Sequence, residues 1–132
     1  MPRELDYQSK LIEDLKELGG WGYKTDHKHM AGLPDLVLVH PETRAMFLEV
    51  KITGPSGIVL LSPIQMATMK KMKERGAPIG VVAIRPVFGT HDYEVWATPM
   101  VDQIRVNENY KKFDKLKGEK WPILQVMRHC VS

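Results

Sequence analysis

The chain has one cysteine, Cys130, among its 132 residues. A lone cysteine cannot close an internal disulfide, and no C-x-x-C pair is present to suggest a redox or zinc centre. No apolar run approaches the roughly 18 residues that a membrane-spanning helix requires. The opening residues, MPRELDYQSK, lack the apolar core of a signal peptide. Also missing are a Ser-His-Asp pattern, a G-x-x-x-x-G-K-[ST] phosphate loop, internal repeats, low-complexity tracts and any long linker. These absences lead us to expect a single domain over residues 1–132 and a reducing cytoplasmic setting, in a bacterium or in the host of a phage.

What is present suits an ordinary core, because 43% of the residues are hydrophobic. The net charge is +3 and the pI about 9.0, which permits a polyanionic partner without demanding one. Leu5, Leu11, Ile12, Leu15 and Leu18 recur at helical spacing, so a first helix is expected from Glu4 to Leu18, stopped by Gly19-Gly20. Short strands are expected at Trp21–Thr25, Leu36–Val39 and Ala45–Lys51, with a turn at His40–Arg44. Ser62-Pro63 reads as the cap and first turn of a second helix that ends at Gly76. Ile79–Ile84 is continuously apolar, as a central strand would be, and Tyr93–Ala97 follows as another strand. Val101 to about Lys117 reads as a late helix, and the tail WPILQVMRHCVS is ambiguous between a strand and a packed extension. The coarse order is α-β-β-β-α-β-β-α.

The stretch GLPDLVLVHPETRAMFLEVK, Gly32 to Lys51, places charges in an otherwise apolar hairpin. Glu49 and Lys51 alternate with Val50 and so share a face of their strand. A loop of odd length centred on Thr43 would set Asp35 opposite Lys51 and Val37 opposite Glu49, bringing all three charges to one face. A loop of even length would send Asp35 to the other face. The odd loop is the expectation taken here. Two neighbouring carboxylates coexist ionised when a divalent cation lies between them, and a backbone carbonyl such as that of Val50 offers another oxygen. A lysine beside them could steady an attacking hydroxide and the charge that builds on phosphorus. The plainer alternative is a turn-capping aspartate with an exposed Glu–Lys pair.

A third acid stands out in the first helix. With about 100° per residue, Leu11, Leu15, Leu18 and Gln8 all fall within about 40° of Glu4. Glu4 is therefore in line with the buried stripe, where a carboxylate needs a cation, a donor or water. It also sits in the first turn, where the helix dipole alone would favour it. Gln65 has two readings as well. Ser62-x-x-Gln65 is a capping box, yet Gln65 is in line with Met69 and Met72 and could face the sheet.

Taken together, Glu4 with Gln8, G-x-P-D at Gly32–Asp35, E-V-K at Glu49–Lys51 and L-S-P-x-Q at Leu61–Gln65 resemble the PD-(D/E)XK nuclease superfamily, and within it the VRR-NUC type. The resemblance covers about residues 4–97. It implies an α/β, restriction-endonuclease-like core of αβββαβ order, with a mixed central sheet flanked by helices and a C-terminal extension. It also implies that Asp35 and Glu49, with the Val50 carbonyl, hold Mg²⁺ or Mn²⁺. Lys51 would be catalytic, Glu4 would support the metal or its water, and Gln65 would position the site.

The implied activity is metal-dependent cleavage of DNA phosphodiesters, on four-way or other branched DNA, by a homodimer without a nucleotide cofactor. The rival readings are a monomeric flap or single-strand nuclease, and a non-catalytic nucleic-acid-binding module. Lys24, His27, Lys28, His29 and Lys70 are further candidates for phosphate contact, though solvated residues would look the same. Lys111, Lys112, Lys115, Lys117 and Lys120 would give the late segment a basic stripe, and Met66, Met69 and Met72 read as core or interface filler.

Overall fold

A computed structural model describes residues 2–25, 31–102 and 104–131. The elements are α1 (Glu4–Glu17), β1 (Trp21–Lys24), β2 (Leu36–Val39), β3 (Met46–Ile52), α2 (Pro63–Glu74), β4 (Ile79–Pro86), β5 (Tyr93–Thr98), α3 (Val106–Asn109), β6 (Lys111–Phe113) and α4 (Ile123–Val131). The six strands form one sheet in chain order. Only β3 and β4 are parallel, since α2 carries the chain back between them, and every other pair is antiparallel. No helix among the described residues is long and apolar enough to cross a membrane.

Both faces of the sheet bury apolar side chains, which explains the unbroken apolar run of β4. On one face, α1 and α4 cover Leu36, Leu38, Leu48, Val50, Val82 and Ile84 through Leu11, Leu15, Ile123 and Met127. On the other, Met69 of α2 packs with Ile79, Val81, Ala83, Val101 and Val106. Met69 is fully buried and Met72 packs against this second cluster, so these two methionines are core filler. Glu49 and Lys51 pair with Val81 and Ala83, which places them on the α2 face.

Three expectations need correction. The hairpin register is centred one residue earlier than expected, with Leu36 opposite Leu48 and Val37 opposite Phe47. Asp35 therefore meets the level of Glu49 rather than Lys51. His40 anchors the turn at its first residue: Nδ1 accepts the Glu42 amide at 3.0 Å and Nε2 lies 2.7 Å from the Leu18 carbonyl. Moving the centre by one residue shifts the pairing by two, so the parity holds and all three charges still share a face.

Second, the helix expected over 101–117 is only the short α3, followed by β6. β6 pairs with β5, Lys111 opposite Ala97 and Phe113 opposite Val95, and covers an edge that would otherwise be left open. Phe113 enters the first core, and Lys112 and Lys115 are held by Glu94 and Asp92. The expected basic stripe is thus partly neutralised. Third, the ambiguous tail supplies α4 and the fully buried Trp121, whose amide donates to buried Asp14 at 2.9 Å.

Candidate active site

The G-x-P-D segment sits where it does because of contacts on both sides. Gly32 has φ +87°, and a Cβ there would come within 2.6 Å of both the Ile64 carbonyl and the Thr68 hydroxyl of α2. Only glycine tolerates that backbone and that approach. Thr25, just past β1, donates its amide to the Asp35 carbonyl at 2.9 Å and its hydroxyl to the Pro34 carbonyl at 2.6 Å. Sequence reasoning missed Thr25, because its partners lie across a loop and no spacing marks them.

Asp35 and Glu49 then interlock. The Asp35 amide donates to Glu49 Oε1 at 3.1 Å, and Asp35 Oδ2 accepts the Val50 amide at 2.9 Å. Two residues further along β3, Glu4 Oε2 accepts the Ile52 amide at 2.9 Å. Asp35 and Glu4 therefore occupy neighbouring positions on one edge of β3, beyond the point where β2 stops pairing. The N–H and C=O of a strand residue leave it on the same side. The Val50 carbonyl accordingly faces the edge that Asp35 and Glu4 line.

Glu49 is 1% exposed. Its second oxygen, Oε2, accepts the Gln65 side-chain amide at 2.9 Å and lies 3.6 Å from Lys51 Nζ. Burial, and then the charge of Asp35, push the Glu49 carboxyl up to about 8, with Lys51 opposing the shift. Gln65 satisfies both of its sequence readings at once. Its Oε1 accepts the Ser62 amide at 2.9 Å and its backbone amide donates to Ser62 Oγ at 3.2 Å, while its side-chain Nε2 donates to Glu49 Oε2.

The structure thus brings together Asp35, Glu49, Lys51, Gln65, the Val50 backbone and, at the margin, Glu4. It does not bring in Lys24 or Lys70. Lys24 lies on the α1 face, level with buried Leu36, and its ammonium donates to Ser9 Oγ at 2.6 Å. Lys70 is exposed on α2 and lines a cavity of about 400 Å³ with Lys73, Glu74, Met100, Val101 and Asp102. His27, Lys28 and His29 lie outside the described residues.

A mixed sheet with helices on both faces, and two acids and a lysine meeting where adjacent strands part, make up a restriction-endonuclease-like fold, and a family match places it in the PD-(D/E)XK nuclease superfamily. The family model described as the VRR-NUC domain matches residues 6–86, more than half of the chain. The chain belongs to the VRR-NUC domain family. A solved structure described as a VRR_NUC domain aligns at 28% identity with a TM-score of 0.50, covering 61% of this chain and 82% of that one. The structure of Hjc from Archaeoglobus fulgidus, described as a Holliday junction resolvase from an archaeal hyperthermophile, aligns at 18% identity with a TM-score of 0.53. That alignment covers 83% of this chain and 87% of Hjc, so it extends the shared fold beyond the family match. Comparison with curated proteins gives no match.

Proposed function

We propose that the protein is a Mg²⁺-dependent endonuclease that hydrolyses DNA phosphodiester bonds, acting on branched DNA. The observation that carries this is the convergence of Asp35 and Glu49, with Lys51 beside Glu49, in a chain of a nuclease family.

The donor set fits magnesium. Among the described residues no three His, Cys, Asp or Glu side chains gather into one metal-sized group. Magnesium asks for less: one or two protein carboxylates, the rest of its shell being water and phosphate oxygens. Asp35, Glu49 and the Val50 carbonyl would hold it, with Mn²⁺ as a substitute. When bound, it supplies a more acidic water and a polarised phosphate.

The chain's own residues do the remaining work. Lys51 offsets negative charge as it grows on the phosphorus oxygens and orients the attacking oxygen. Gln65 holds Glu49 Oε2 in place, and the α2 cap in turn holds Gln65. Glu4 fixes the end of β3 just past Lys51. Glu49 must release its proton to serve as a ligand, which neutral to alkaline pH favours.

A four-way junction is symmetric and needs two coordinated cuts, whereas each chain carries one such site. A twofold homodimer follows from that geometry. The likeness to Hjc, described as a Holliday junction resolvase, is what supports branched DNA as the substrate class, and the setting we propose with it is the cytoplasm of a bacterium or of a phage host. The test incubates purified protein with labelled linear duplex, flap and four-way DNA, with Mg²⁺ or with EDTA. Cutting that requires Mg²⁺ and prefers the branched substrates is expected. An absence of metal-dependent cutting on every substrate overturns the proposal.

A further inference from the structure

Trp21 and Tyr23 lie one turn of the pleat apart on β1, with ring centroids 6.0 Å apart and ring planes within 9° of parallel. They remain 52% and 53% exposed. Large aromatic rings are expected to bury most of their surface, so two stacked rings left half in water need an account. Their register places them. Trp21 is level with Val39, Tyr23 with Val37, and Val37 with Phe47. Phe47 shares its face of β3 with Glu49 and Lys51. Between the two rings, Gly22 faces the opposite way, since a Cβ there would meet Ile12 of α1 and Leu38. The aromatic pair and the acids therefore share one face of the sheet, the face that α1 does not cover.

We propose that Trp21 and Tyr23 form a stacking platform for an unpaired nucleobase of the substrate, next to the Asp35–Glu49 site. This rests on the nuclease reading above and specifies its substrate: DNA with a splayed base close to the scissile phosphate. Three observations favour a nucleobase as the occupant. The ring planes are nearly parallel, so a flat base laid on an outer face continues the stack. Along β1 the next residue on this face beyond Tyr23 is Thr25, whose amide bonds the Asp35 carbonyl, so Tyr23 is the ring nearer the acids. A base laid on Tyr23 thus extends the stack toward the acids. The span is also right. Tyr23 and Glu49 are separated by two strand spacings and two residues, about 12 Å, or about three to four stacked nucleotides. A paired base is already covered on both faces by its neighbours. Only a base freed at a branch or in a single strand has a face to offer, and stacking tolerates any base identity.

The test measures anisotropy of fluorescein-labelled flap DNA, and of a fully paired duplex of equal length, titrated with the full chain in EDTA. Trp21→Ala and Tyr23→Ala are expected to weaken flap binding about tenfold each and to leave duplex binding unchanged. Tyr23→Phe is expected to bind as the wild type does, because it keeps the ring. Flap DNA should also quench tryptophan fluorescence in the wild type, and Trp21→Phe should abolish that quenching. Equal flap affinity in wild type and Ala variants, or no preference of the wild type for flap over duplex, overturns the platform. So does a fall from two copies to one in sedimentation of Trp21→Ala, which would make the pair a subunit contact. Failure of the nuclease reading looks different: the wild type binds flap DNA through the rings but does not cut it with Mg²⁺. Conversely, a wild type that cuts while the Ala variants bind normally refutes the platform alone.

Discussion

The backbone amide of Asp35 donates to Glu49 while the carboxylate of Asp35 accepts the amide of Val50, so the two strands are clasped by the same acids that would do the chemistry. Changing Asp35 therefore separates into two effects. Asp35→Asn keeps an oxygen for the Val50 amide, and Asp35→Ala does not. Both are expected to lose at least about 100-fold in cutting rate, and Lys51→Ala likewise, the scale on which loss of one preorganised charged group is felt. Only Asp35→Ala should also lower the melting temperature. Single-turnover cleavage and thermal unfolding of the same samples check this, and normal cutting by either Ala variant refutes the roles assigned.

Glu49 gives the metal-free protein a pH dependence of definite sign. Its folded-state value, about 8, lies above the ordinary 4.5. The folded state thus binds more protons than the unfolded state between those values, and stability falls as pH rises through that window. Melting temperature in EDTA should drop from pH 5 to pH 8. Glu49→Gln should flatten that slope and melt higher than wild type at pH 8. Added Mg²⁺ should raise the wild-type melting temperature at pH 8 and leave Glu49→Gln little changed. A wild-type slope that survives the substitution would assign the effect to another group.

Gln65 caps α2 and holds Glu49 with different atoms, so the two duties can be separated. A glutamate can still accept the Ser62 amide, because Ser-x-x-Glu is also a capping box. It cannot donate to Glu49. Ionised at neutral pH, Gln65→Glu is expected to keep the helix cap yet cut at least about tenfold more slowly, the usual cost of losing a partner that orients a ligand. Gln65→Ala should lose the Glu49 contact and the side-chain half of the capping box, at about 1 kcal/mol of stability, while the backbone bond to Ser62 Oγ stays. Unfolding curves and cleavage rates distinguish the pair. Equal cutting by Gln65→Glu and wild type would leave Gln65 only its capping duty.

Asp14 ties the C-terminal segment to α1, through the Trp121 amide at 2.9 Å and Lys120 Nζ at 3.7 Å. It is 4% exposed, so removing it strands a buried donor. Asp14→Ala is expected to cost about 2 kcal/mol, or about 5 to 10 °C in melting temperature. The cutting rate at 25 °C should persist, because neither residue touches the acids. A calorimetric scan with an activity measurement on the folded sample tests both halves.

Local signals made much of this molecule legible in its sequence. Ser62-Pro63 with Gln65 marks α2, the continuous apolar run of β4 marks a doubly covered strand, and alternation puts Glu49 and Lys51 on one face. Even the slipped hairpin register spared the site, since a shift of two residues preserves parity. Gly32 was legible as a motif but not as a contact. Its reason is the backbone of α2, about thirty residues away along the chain.

Charge alternation, helix caps and apolar periodicity are properties of a few neighbouring residues, and the sequence by itself determined those. It determined which residues could form a site and which face of each element they occupy. Only the tertiary structure decided that residues 101–117 yield a strand for the β5 edge, that Asp14 meets Trp121, and that Trp21 and Tyr23 share a face with Glu49. Those outcomes depend on which distant segment reaches an open edge or a buried group first satisfied by packing, and that competition is settled by the whole chain, not by any window of it.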